Sequence, residues 1–186
     1  MTEPERLWRD FVAEGRPRLL SDLGRDVVEP VLQTARAAGA LVLVDSFDPV
    51  AAGVGLGPLP RLVSEVLAEF EMESTPPRAQ WWVGPALDDL LGRSDLHRDV
   101  SEIYSAIALV LRLAASDRAV AVVLEGIEWA SDAARNLLPY LVETLDAPVL
   151  VVTTTGEHAR ESTSEAHLEI ADELAAGARS KTEPEL

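Results

Sequence analysis

Two short stretches hold residue types whose spacing could support chemistry on a charged substrate. In the first, the apolar run Val120-Ala121-Val122-Val123-Leu124 leads into Glu125-Gly126-Ile127-Glu128. A run too short for a buried helix, rich in β-branched residues and ending in an acid, reads as a central strand that delivers a carboxylate to the edge of a parallel sheet. Glu125 could then ligate a divalent cation, and Glu128 could serve as a base toward water. The second stretch is Leu20-Ser21-Asp22-Leu23-Gly24-Arg25-Asp26, a very short apolar piece and a glycine turn ahead of a helix. Arg25 is its candidate phosphate grip, since a guanidinium can hold phosphate bidentately. Other chemistries find little material. No cysteine is present, and His97, His158 and His167 are scattered rather than set at ligand spacing. No Gly-x-Ser-x-Gly elbow occurs, Thr153-Thr154-Thr155 reads as a strand end, and Asp88-Asp89 reads as a solvated helix face.

The elements that must position these residues alternate in type. Leu7, Trp8, Phe11 and Val12 fall at helical spacing between Pro4 and Glu14, and Gly15 is placed to end that helix. A helix through Val31, Leu32, Ala35 and Ala38 stops at Gly39, and Pro30 places its regular start near Glu29, because proline is comfortable only in a first turn. Ala40 to Phe47 reads as a buried strand with Asp45 at its end, followed by a Gly/Pro loop containing Gly53-Val54-Gly55-Leu56-Gly57. That loop lacks the full dinucleotide spacing and reads as a flexible surface connection. Leu62, Val63, Val66, Leu67 and Phe70 mark a further helix, and the region of Trp81 and Trp82 a short helical insertion. The paired tryptophans read as core or lid packing, with a partner-binding patch as the other reading. Val100 to Ala114 carries a long apolar stripe. Ser131 is placed to cap a helix from Asp132, in which Pro139 predicts a kink or break, and Val149 to Thr155 is another strand. Alternating strands and helices imply an α/β fold with a parallel sheet between helical layers and right-handed crossovers.

Length and composition bound the rest. The 186 residues, 47% of them hydrophobic, suffice for one domain with a real core, here read as residues 1–156 followed by an acidic, partly helical or disordered tail over 157–186. No run approaches the roughly 20 apolar residues of a membrane span and the acidic start lacks a signal-peptide core, so a cytoplasmic protein is expected. The formal charge of -16 disfavours nucleic acid and anionic membranes as partners, and its spread along the chain disfavours nucleic-acid mimicry. Lys181, in the tail, is the only lysine, so no mechanism can use a lysine inside the fold.

The span from about Gly24 to Thr155 resembles the AAA/STAND-type P-loop ATPase domain of large LuxR-type transcriptional regulators and some adenylate cyclases. The resemblance rests on Ala35-Arg36-Ala37-Ala38-Gly39-Ala40-Leu41-Val42-Leu43, on the segment ending Ile127-Glu128-Trp129-Ala130-Ser131, and on Pro148-Val149-Leu150-Val151-Val152-Thr153-Thr154. It implies a three-layer α/β/α P-loop NTPase-like fold, in which Glu125 takes the place of the first Walker B acid and Gly126 that of the second. Glu128 takes the place of a histidine and Ser131 that of the last aspartate. The departures decide the functional expectation. A phosphate loop needs a long Gly-rich turn, a lysine and a magnesium-binding hydroxyl. Here the turn is short, Arg25 stands for the lysine and Asp26 for the hydroxyl. Gly126 has no side chain with which to polarise water. The expectation is a degenerate domain with a vestigial nucleotide site at Gly24, Arg25, Asp26, Glu125 and Glu128. It would have no catalytic residues, no cofactor and no metal, and would act as a protein-binding or regulatory module, with an active ATPase homologue among the possible partners. The alternative is an ATP and magnesium binder that uses Arg16, Arg18 or Arg25 in place of the Walker lysine.

Overall fold

The computed structural model describes residues 2–21, 23–53, 55–69, 80–93 and 98–155. Helix α1 (Glu3–Glu14) starts at a capping box, in which Thr2 accepts from the Glu5 amide while the Glu5 carboxylate accepts from the Thr2 amide. It ends on Gly15 in the left-handed conformation. Strand β1 (Arg18–Leu20) follows, then α2 (Arg25–Ala37), β2 (Leu41–Ser46), a short 3-10 turn (Pro49–Ala51) and α3 (Leu59–Glu69). Then come α4 (Gln80–Leu90), α5 (Val100–Ala115), β3 (Val120–Glu125), a second 3-10 turn (Ile127–Trp129), α6 (Asp132–Thr144) and β4 (Val149–Thr154).

One proline expectation needs correction, and at a second proline the chain does not break. Helix α2 begins at Arg25 rather than near Glu29, with Pro30 inside it. The carbonyl left without a donor by Pro30 belongs to Asp26, an exposed residue of the first turn, where water can satisfy it. Likewise α6 continues through Pro139 to Thr144, and Pro139 and Arg135, four residues before it, both lie on the exposed side.

The four strands form one all-parallel sheet in the order β1-β4-β3-β2. The three-layer α/β/α arrangement expected from the sequence is borne out. Alternate residues of each strand feed different cores, as the pleat requires. Leu43, Val122, Leu124 and Val151 face α3 to α6, while Ala121, Val123, Leu150 and Val152 face α1 and α2. Helix α2 carries the chain from β1 to the far edge at β2, and α3 to α5 and then α6 return it on the opposite face to β3 and β4. This is how right-handed crossovers of opposite direction must lie. The connections after β1 and β3 therefore leave on opposite faces, with β4 between them. Parallel sheets offer their binding crevice above the carboxyl ends of such strands. Among the described residues no helix is long and apolar enough to cross a membrane. Residues 157–186, read as a tail, lie outside the described residues.

Candidate functional site at the carboxyl edge of the sheet

Between Leu20, the end of β1, and Arg25, the start of α2, the turn comprises only residues 21–24. Leu23 is tied to the neighbouring strand, its amide donating to the Thr153 carbonyl of β4 at 3.3 Å. Gly24 is the N-cap of α2, in extended conformation and with no side chain to cap, and its carbonyl accepts from Val27 and Val28 at 3.0 Å. Asp26 supplies the negative charge that the helix N-terminus attracts, so this helix end carries its own anion. The turn is thus shorter than a phosphate loop, and one of its amides is committed to the sheet.

Glu125 ends β3 opposite Thr154 of β4, and its backbone carbonyl accepts from the Phe47 amide at 2.8 Å. Its carboxylate meets Arg25: the guanidinium Nη2 donates to Oε2 at 3.0 Å, across 100 residues of sequence. The first helical residue after β1 thus reaches over β4 to the carboxylate of β3. The Arg25 side chain is 68% exposed and that of Glu125 29%, so solvent screens the contact and it adds little to stability.

A second strand-end acid is paired in the same manner. Asp45 of β2 is bound through both carboxylate oxygens by Arg61 of α3, with Nη2 and Nε each at 2.6 Å, and it also accepts from the Ser46 amide at 2.8 Å. This fork holds the Arg61 guanidinium's pKa above its ordinary value, chiefly through the hydrogen bond to Asp45 and the charge of Asp45. The sequence pointed to Asp45 as a strand end; nothing in the spacing of 16 residues pointed to Arg61.

Beyond Glu125 the backbone turns through Gly126 at φ +69° into the Ile127–Trp129 turn. A Cβ at Gly126 would lie 3.2 Å from Trp129 Cδ1 and 3.3 Å from the Phe47 carbonyl oxygen. An acid at this position is therefore opposed by both the left-handed backbone and its neighbours. Glu128, half-buried in the turn, has its carbonyl held by Arg135 at 2.7 Å. The pair Glu125 and Arg25 and the residues Gly24 and Asp26 meet at one end of the sheet. Glu128 lies beyond the tight turn, within the Ile127–Trp129 segment. Ser131 caps α6, accepting from the Ala134 amide at 3.0 Å, and its hydroxyl also donates to the Gly55 carbonyl.

That last bond revises the reading of the glycine loop as a loose surface connection. Gly53 donates to the Trp129 carbonyl at 3.0 Å, Gly55 is held by Ser131, and Gly57, at φ +57°, lies so close to Phe47 that a Cβ there would be 2.5 Å from the ring. The loop is bolted to the segment after β3. Val54 is outside the described residues. So are the side chains of Trp81 and Trp82, whose backbones belong to α4. Among the described residues no group of three or more potential ligands is arranged to hold a metal ion.

Comparison with known protein families, curated proteins and solved structures finds no match to this chain.

Proposed function

We propose that this domain is a catalytically inactive, ATPase-like module that acts by binding another protein, in a regulatory rather than an enzymatic role. The observation that carries the reading is the Arg25 to Glu125 ion pair at 3.0 Å over the carboxyl edge of the sheet. A working nucleotide site would direct its cation at phosphate and its acid at a metal; here the two satisfy one another. Three features support the same reading: the Leu23 amide is committed to β4, Asp26 puts a negative charge in the first turn of the helix that would hold an anion, and Gly126 occupies a backbone geometry hostile to a second acid. Trp81 and Trp82 are proposed as part of the partner-binding surface, since tryptophan is enriched where interfaces concentrate their energy.

The exposure of Arg25 favours one rival. A guanidinium that is 68% accessible could exchange Glu125 for a phosphate, giving an ATP-binding domain with arginine in the lysine's role. Titration of the full chain with a fluorescent ATP analogue and magnesium separates the two. The proposal expects no saturable binding below about 1 mM, whereas a micromolar affinity abolished by Arg25→Ala would overturn it.

A further inference from the structure

Helices α5 and α6 pack side by side on one face of the sheet, and a half-open cavity of 130 Å³ lies between their C-terminal halves. It sits toward the amino edge, where the two helices lead into β3 and β4, and so away from Arg25 and Glu125. Ala108, Leu109 and Leu145 form its apolar part, and Arg112, Tyr140 and Thr144 bring polar groups to it. The wall on the tyrosine side is fixed. The Ser105 hydroxyl donates to the Ser101 carbonyl at 2.9 Å, so the Tyr140 hydroxyl, 3.0 Å from Ser105 Oγ, commits its own proton to Ser105. The Tyr104 ring, 5.5 Å from that of Tyr140 and anchored through its hydroxyl to the Ala133 carbonyl, braces the same wall. Arg112 and Thr144 are uncommitted by contrast. Acids outnumber bases 32 to 16, and Arg18, Arg25, Arg36, Arg61, Arg98 and Arg118 each pair with a carboxylate, yet none of the described residues pairs with Arg112. Three and four residues to either side of it stand Ala108, Leu109, Ala115 and Ser116, so its own helix offers no acid. The Thr144 hydroxyl likewise has no hydrogen bond to a described residue.

We infer that this cavity binds a small aliphatic monocarboxylate, its carboxylate taken by Arg112 and Thr144 and its hydrocarbon seated on Ala108, Leu109 and Leu145. Both uncommitted groups can donate, and a guanidinium matches the two oxygens of a carboxylate in spacing and plane. The volume sets the size of the ligand. At about 30 Å³ for each water-sized group, a half-open cavity of 130 Å³ suits an acid of about four to six non-hydrogen atoms. The braced tyrosine wall lowers the cost of binding, because no side chain there has to be ordered first. The formal charge of -16 keeps anions off the surface at large, so a carboxylate is retained only where a cation is locally unopposed. The inference is independent of how the carboxyl edge is read.

Titration of the isotope-labelled full chain with butyrate, followed by nuclear magnetic resonance through the amides lining the cavity, tests it. Saturable shifts are expected with a dissociation constant of about 1 mM, while butyramide, of the same size but uncharged, binds at least about tenfold more weakly. Arg112→Gln, at an exposed position, should weaken butyrate binding at least about tenfold and leave the thermal midpoint unchanged. Ala108→Leu, which fills the apolar part of the cavity, should weaken it as much. Shifts that stay linear up to about 50 mM butyrate overturn the inference, as does butyramide binding as tightly as butyrate, or a butyrate affinity that Arg112→Gln leaves intact.

Discussion

Gly126 holds a backbone geometry in which any side chain is opposed. Its φ of +69° would cost a side-chain-bearing residue about 1–2 kcal/mol, before the approach to Trp129 and Phe47 is counted. Gly126→Ala should therefore lower unfolding free energy by at least that amount in urea titration, and Gly126→Asp should lower it without producing ATP hydrolysis. Ser131 illustrates the reverse case, a residue at a motif position that has acquired structural duties. Ser131→Ala loses the α6 cap and the tether to Gly55, for an expected cost of about 1–2 kcal/mol. Ser131→Asp should recover the cap alone, so partial rescue in the same titration would divide the two duties. The acidic strand ends were legible in the sequence because they close apolar runs. Arg25 was grouped with Glu125 only through the resemblance, and neither their direct pairing across 100 residues nor that of Arg61 with Asp45 had a local signal.

At the scale of elements, the long apolar runs and the helix ends at Gly15 and Ser131 read directly from sequence, whereas the cap of α5 did not. Asp99 caps α5, accepting from the Ser101 amide at 2.8 Å. Those bonds from Ser101, backbone first and hydroxyl second, hold the Asp99 pKa below its ordinary 3.8. A depressed carboxylate pKa means that the folded state releases this proton more readily than the unfolded state. The contribution is therefore complete above the unfolded value and disappears as pH falls through the folded one. Thermal melts of wild type and Asp99→Asn, which caps without titrating, should converge or cross as pH falls below about 4. Prolines were the weak point of the sequence reading. Pro30 and Pro139 both lie inside helices, since the cost of a missing amide depends on whether the carbonyl four residues earlier can reach water, and spacing alone does not reveal that. The glycine loop was misread for a related reason: its anchors at Trp129 and Ser131 belong to a different part of the chain.

For the molecule as a whole, two cores of unequal size share one sheet. Trp8 and Phe11 of α1 complete the smaller, with rings 5.3 Å apart. Phe11 is fully buried, so Phe11→Ala should cost about 3–5 kcal/mol by denaturant titration. The formal charge of -16 works against compactness, so the thermal midpoint should rise as sodium chloride is taken from about 10 mM to about 0.5 M; a fall would mean that screening of the arginine pairs outweighs relief of repulsion. The alternation of strand and helix foretold the parallel sheet, but the strand order β1-β4-β3-β2 required coordinates, because nothing local in Arg18-Leu19-Leu20 names Leu150-Val151-Val152 as its neighbour. That pairing has a consequence for biosynthesis. Among the described strands β1 pairs only with β4, so it cannot dock in the sheet until β4 has been made, and during that interval Trp8 and Phe11 have α2, but not Leu150 and Val152, to pack against.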